Sequence, residues 1–501
     1  MSTPFSLCFN STYIRSVNAS DIISQLSFTS SDPVYIAKGG FKTLFGLVAD
    51  GFGNMYAADA NACVIYKISP TYVVTRIAGT GTYGSSGYPG PALSCEFSYP
   101  VSLACDAAGN VYVADNETYV ISCINTQATT QIICGISIPA GNIAIVAGTL
   151  NVGGGSSGDG GAATSAVIEA NGQIAVAHGS GNLYLTDADY GLCIRKVTAS
   201  TGIITNFAGN GNQGYSGDNG AAGSCELAQP NGVAVDANEN VYIADTLNSR
   251  IRAVNTQGTT QSLFGVSIPS GYINTIAGTG TAGDTGDGGL ATSAKVSTPF
   301  FISLDVSGNL FISDSGNYKI RVVSPSTFDI NTLAGTGIEG NTGNGGLATS
   351  AKLGTLATSA AFFPPALTVS PSSVNFVNQV WGFSPATGDG QGNDGTINPQ
   401  GLSITASGSW TVTSQTGMTW VNQTSGSGNA NIVVGISVDF VFPKTLNYTV
   451  NRIRTGTYTD TLTITSGGSS TTVAITAQFG YGDLLDAFPN ISHGMVIQPT
   501  S

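Results

Sequence analysis

The run "NGVAVDANENVYIADTLNSRIRAV" (231–254) decides how the rest of the chain is read. It holds three short segments of alternating apolar and polar residues, "NGVAVD" (231–236), "ENVYIAD" (239–245) and "RIRAV" (250–254), punctuated by Asn, Asp and Ser. Period-two alternation broken by turn residues predicts antiparallel strands. The pattern recurs along the chain. "GNMYAAD" (53–59), "GNVYVAD" (109–115), "GNLYLTD" (181–187) and "GNLFISD" (308–314) repeat the second segment, while "CIRKV" (193–197) and "KIRVV" (319–323) repeat the third. A further segment ending in "IAGTG", "FAGNG" or "LAGTG" follows each time, which makes four strands per unit.

Four-stranded units repeated in series predict the blades of a β-propeller. Five complete units fill about residues 41 to 337, and a sixth linker, "AGTGIEGNTGNGGLATSAKL" (334–353), opens a unit that never receives its second strand. The missing strands are expected at the other end. "FSLCFNSTYIRSV" (5–17) lies over "YIADTLNSRIRAV" (242–254) without a gap, matching Asn10 to Asn248, Ser11 to Ser249, Ile14 to Ile251, Arg15 to Arg252 and Val17 to Val254. Strands at Phe5 to Leu7, Tyr13 to Val17 and Ile22 to Phe28 are therefore expected to join one near Leu356 to Phe362. The expected fold over residues 1–363 is an all-β, six-bladed propeller closed by strands from both ends of the propeller region. Such closure buries the last sheet edges.

These units resemble the NHL-type propeller family, in particular its bacterial form, in which a segment such as "AGTGTAGDTGDGGLATSAKVSTP" (277–299) joins one blade to the next. The resemblance covers roughly residues 5 to 362. It implies a fold more than a function, because propellers of this kind serve as binding scaffolds and as enzymes. Residues 364–480 read differently. "GSWTVTSQTGMTWVNQTSGSG" (408–428) and the later "GTYTDTLTIT" resemble the BACON-type immunoglobulin-like module, which implies a β-sandwich over about 367 to 479. The insertion "WGFSPATGDGQGNDGTINPQ" (381–400) departs from that pattern. Residues 481–501 match neither module and are expected to form a tail that takes part in assembly.

Only 9% of the 501 residues are charged and the net charge is −13. That balance, without any Lys/Arg cluster, excludes nucleic-acid phosphates as partners. No apolar run reaches the roughly 18 residues of a membrane-spanning helix. All eight cysteines lie between Cys8 and Cys225. Cys63 and Cys193 each follow a "YxxD" strand and each precedes another cysteine, Cys95 and Cys225, by 32 positions. Disulfides Cys63–Cys95 and Cys193–Cys225 are expected, with Cys123–Cys134 as a third pair, Cys105 as a buried thiol and Cys8 without a partner. Paired cysteines place the chain in an oxidising, extracellular or surface-exposed setting, on a cell or a virion.

Blades two and four carry matching insertions, "NTQATTQIICGISIPAGN" (125–142) and "NTQGTTQSLFGVSIPSGY" (255–272), which project from one face of the disc. That face is the candidate for recognition. The repeated Asp59, Asp115, Asp187, Asp245 and Asp314 are read as turn caps rather than as a carboxylate ring. Asp159, Asp218 and Asp287 on Gly-rich loops could chelate a surface Ca²⁺, but Asn344 and Tyr88 hold the equivalent positions, which favours turn formation. His178 replaces the Asp found at Asp50, Asp106, Asp236 and Asp305, and one such His cannot supply the several His ligands of propeller metalloenzymes. Trp381 is the exposed aromatic that could stack on a sugar, whereas Trp410 and Trp420 suit a sandwich core. The chain is accordingly expected to be a non-enzymatic structural or adhesive subunit of a surface assembly, without cofactor, binding other copies of itself. A glycan-binding module is the alternative, and a propeller lyase or hydrolase a weaker one.

Overall fold

A computed structural model describes residues 5–8, 13–18, 20–50, 53–305, 307–354 and 360–362 of a first unit, together with strands between 368 and 479 of a second. The first unit, Met1–Pro364, is a β-propeller. Blade four shows the plan. Pro230–Val235, Val241–Asp245, Arg250–Val254 and Tyr272–Ala277 pair antiparallel in sequence order, and Gly220–Ala221 from the preceding linker adds to the outer edge. Every residue of Val241–Asp245 is buried, as a strand packed on both faces requires.

The linkers explain their glycines. Gly278 sits at φ +89°, and a Cβ there would lie 2.5 Å from the carbonyl oxygen of Ser249, so no larger residue fits. The same close approach recurs at Gly79, Gly148, Gly209 and Gly335. Between the third and fourth strands the register shifts at Ile251/Arg252, and at the matching place in every contiguous blade. Such a bulge redirects the side chain that follows it.

The structure has five blades, all built from contiguous chain, against the expected total of six with one shared between the ends. The last linker is followed by one described strand, Ala360–Phe362, near the place expected for it. That strand joins Phe5–Cys8, Ile14–Val17 and Ile23–Gln25 in a separate sheet made from both ends, with Phe5 opposite both Phe362 and Val17. The innermost strands touch in series from blade one to blade five, and Ala360–Phe362 lies against those of blades five and one. Val17 and Ile23 pack with Phe311, Ile320 and Leu333 of blade five, and Ile14 packs with Leu44 and Val64 of blade one. An element absent from the sequence reading precedes blade one: the short helix Pro33–Lys38, capped by Asp32 and ended by Gly39 in the left-handed conformation.

In the second unit, Pro365–Ser501, two all-strand sheets are described. One contains Thr368–Ser370, Gln400–Thr405 and Ala430–Val434. The other contains Ser409–Ser414, Ser425–Ser427, Gly456–Ser466 and Ser469–Phe479, with Ser373–Phe376 added in parallel. Backbone pairing alone does not make the expected immunoglobulin-like sandwich, which stays an expectation. Trp381, Trp420 and residues 480–501 lie outside the described residues, and so does the side chain of Trp410.

Deleting residues 1–28 removes three strands of the shared sheet and uncovers Ile320 and Leu333 in blade five and Leu44 in blade one. The truncated chain is expected to lose its cooperative thermal transition and to be recovered as insoluble protein. A soluble product that melts like the full chain contradicts this.

Candidate binding face of the propeller

Four of the five repeated aspartates cap turns, and the fifth, Asp187, lies 3.6 Å from Arg195 with no hydrogen bond to its oxygens among the described residues. Asp59 accepts from the backbone N–H groups of Lys42 (2.7 Å) and Thr43 (2.9 Å), and Asp115 from those of Ser98 and Tyr99 (both 2.8 Å). Asp245 and Asp314 accept from Ala228 N–H and Ser297 N–H, and each also holds an Asn side chain three residues on. These carboxylates are buried and spent on the fold.

The bulged position of the third strand carries the residue that sequence reasoning missed. Arg15, Arg195, Arg252 and Arg321 are each fully buried. Arg252 pairs with Asp218 of the linker at 2.7 Å and with Asp245 of its own blade at 3.4 Å. Arg321 does the same with Asp287 (2.6 Å) and Asp314 (3.3 Å), and Arg195 with Asp159 (2.8 Å) and Asp187 (3.6 Å). The loop acids considered for Ca²⁺ therefore have a partner already, a guanidinium that needs their charge. The exceptions follow the same logic. Where the linker has Asn344, its Oδ1 accepts from Arg15 Nε at 2.9 Å, and the Arg15 Nη groups turn to the carbonyls of Thr342 and Lys352. Where it has Tyr88, the strand has Ser122, and the ring packs edge-on against Phe97.

The seven described cysteines, Cys63, Cys95, Cys105, Cys123, Cys134, Cys193 and Cys225, are free and buried. None of the expected bonds, Cys63–Cys95, Cys193–Cys225 or Cys123–Cys134, is formed. The thiols behave as small core residues, and several donate to carbonyls nearby, Cys63 to Ala60 and Cys95 to Ala92. Burial holds Cys95 up to about 11 and Cys193 up to about 12. The cysteine argument for an oxidising compartment loses its footing.

The paired insertions fold as hairpins, Gln131–Ile133 with Ile136–Ile138 and Gln261–Leu263 with Val266–Ile268. Asn125 and Asn255 brace their bases by donating to Ile138 O and Ile268 O. Gly135 lies against the Thr201–Gly202 turn of blade three, and Gly265 lies under the ring of Phe328 of blade five. Each insertion therefore clasps the next blade instead of standing free. At the centre, the buried Gln173 amide of blade three bonds Val233 N–H (3.1 Å), Ile302 N–H (3.1 Å) and Ile302 O (2.7 Å), stitching three blades together. The open ground on the insertion face is a cleft of about 780 Å³ between blades three and four, lined by Tyr184, Lys196, Phe207, Asn238, Glu239 and Gln257. Among the described residues no group of three or more His, Cys, Asp or Glu side chains is placed to hold a metal.

Comparison with known proteins settles the repeat. A family model described as NHL repeat matches residues 227–253, from the linker of blade four through its third strand. The chain carries an NHL repeat. NHL repeat-containing protein 2 of Homo sapiens is 31% identical over 158 residues, 30% of this chain and 20% of that protein. Protein SUPPRESSOR OF QUENCHING 1, chloroplastic, of Arabidopsis thaliana is 27% identical over 203 residues, 40% of this chain and 18% of that protein. The chain spans about a fifth of the length of the curated relatives it matches. Among solved structures, an auxiliary nutrient binding protein from Bacteroides ovatus aligns at 15% identity and a TM-score of 0.40 over 64% of each chain. A gluconolactonase from Xanthomonas campestris aligns at 11% identity and a TM-score of 0.37 over 86% of this chain and 97% of that one.

Two buried carboxylates of the propeller titrate unusually. Burial pushes Asp187 and Asp314 up to about 6, against the pull of Arg195 and Arg321. Between the unfolded value near 3.9 and the folded one, the unfolded chain releases protons that the folded chain keeps. Each group's contribution is thus complete below about pH 3.9 and is lost as the pH rises through about 6. Replacing Asp314→Asn is expected to flatten the fall in melting temperature between about pH 4 and pH 6.5. An unchanged or steeper slope in the variant contradicts the shift.

Proposed function

We propose that this chain is a non-enzymatic structural subunit of an extracellular surface assembly. In this reading the sheet made from both ends acts as a sixth blade that closes the propeller into a rigid block, and copies join through the second unit, folded as an immunoglobulin-like domain, and through residues 481–501. One observation carries the non-catalytic part: the repeated carboxylates and buried guanidiniums are committed to one another and to backbone amides. Groups so committed cannot exchange protons with a substrate without loosening a blade. The surface setting rests on composition, since 9% charged residues leave little repulsion between copies. A tail mixing Leu484, Leu485, Phe488, Met495, Val496 and Ile497 with Gly and Pro suits strand addition to a neighbour.

Electron microscopy of the purified full chain is expected to show regular polymers or closed rings, and deletion of residues 481–501 to leave a folded monomer. A full chain that stays monomeric as its concentration is raised contradicts the proposal, and a deletion variant that still assembles rules out the tail.

A further inference from the structure

Tyr184 stands in the lining of the cleft between blades three and four. Two Tyr residues of the "YxxD" strands reach the turn that joins the first two strands of their blade. Tyr56 and Tyr242 donate to Asp50 and Asp236, both at 3.0 Å. In blade three that Asp is His178, which is exposed. Tyr184 is 1% exposed as a residue, and its hydroxyl, which makes no hydrogen bond among the described residues, is not itself buried and so is open to the cleft. Burial first, and then the Glu239 carboxylate, hold its proton on up to about 12.

The neighbouring groups define a ligand. The Lys196 ammonium lies 6.0 Å from the centre of the Tyr184 ring, and no carboxylate forms an ion pair with it among the described residues. Phe207 stands edge-on to Tyr184 at 5.0 Å and is half-buried, so part of its ring faces the opening. Glu239 supplies an acceptor held in place by Ser180 N–H, and Asn238 and Gln257 supply amides. Donors, acceptors and one aromatic surface at a single mouth match a hydroxylated ring with an apolar face. The volume suits one or two such rings.

We propose that this cleft binds a neutral hexose unit of a glycan, with the Tyr184 hydroxyl and the Lys196 ammonium donating to sugar oxygens and Glu239 accepting from a sugar hydroxyl. The site stands apart from self-association, because it uses no residue of the second unit or tail. Labelled full-length protein on an array of neutral and acidic glycans tests it. Wild type is expected to bind hexose-terminated neutral glycans, and Tyr184→Phe to lose roughly tenfold, the loss of one hydrogen bond of about 1.4 kcal/mol, at an unchanged melting temperature. Phe is tolerated at this position, since blade five has Phe311 there. Asn238→Ala, at an exposed turn, is expected to weaken the same signal, while Tyr242→Phe leaves it intact. No signal on neutral glycans, signal on acidic glycans alone, or an undiminished signal from Tyr184→Phe overturns the proposal.

Discussion

A guanidinium buried under four of the linkers is the constraint from which much of the propeller follows. A charge with no exposed surface is tolerable only where opposite charge and carbonyl oxygens surround it. For Arg252 these are the linker carboxylate of Asp218, the turn carboxylate of Asp245 and the Ser216 carbonyl. Linker, second strand and third strand must therefore meet at one point. The bulge before Arg252 aims the side chain there, and Gly278 lets the next linker leave over the Ser249 carbonyl. Removing one partner from such a cluster strands a buried charge, at about 3–5 kcal/mol.

The same economy governs the closure. Arg15 comes from the N-terminal strands and reaches Asn344, Thr342 and Lys352 of the last linker, more than three hundred residues away in sequence. The two ends are thus tied by a buried arginine at the position that ties the linkers of blades three, four and five to their blades. Hairpins on blades two and four add a second tie on the other side, each reaching the following blade, and Gln173 adds a third at the centre. A disc fastened at rim, face and axis has little freedom to rearrange, and recognition is left to clefts such as the one beside Tyr184.

Much of this was legible in the chain. The strand runs, the turn-capping aspartates and the pairing of the two ends all appear as repeated words, because a repeat exposes what each blade needs. The identity of Arg15 with Arg252 in the aligned segments was visible, but its burial was not. What hid its meaning was the partner: Asp218 sits on a Gly-rich loop that reads locally as a turn or a calcium ligand, and only tertiary folding places it on the guanidinium. The cysteines misled for a related reason. Their 32-residue spacing recurs because the blades recur, and a repeated spacing in a repeat protein needs no bond to explain it. His178 was visible as a departure from Asp, but its consequence lies in the Tyr184 hydroxyl six residues on. The count of six blades counted the sheet assembled from the two ends as a blade, whereas that sheet stands separately beside five contiguous blades.

Blade two offers the most direct check on the ion pair, since it replaces the pair by Tyr88 and Ser122. A double-mutant cycle on thermal and denaturant unfolding would compare Asp218→Tyr, Arg252→Ser and both together. The account predicts that each single change costs several kcal/mol, on the order of 3–5 for the Arg252→Ser variant, and that the double change costs markedly less than their sum. Losses that simply add would show that Asp218 and Arg252 act independently, and would contradict the claim that linker and blade are held by their pairing.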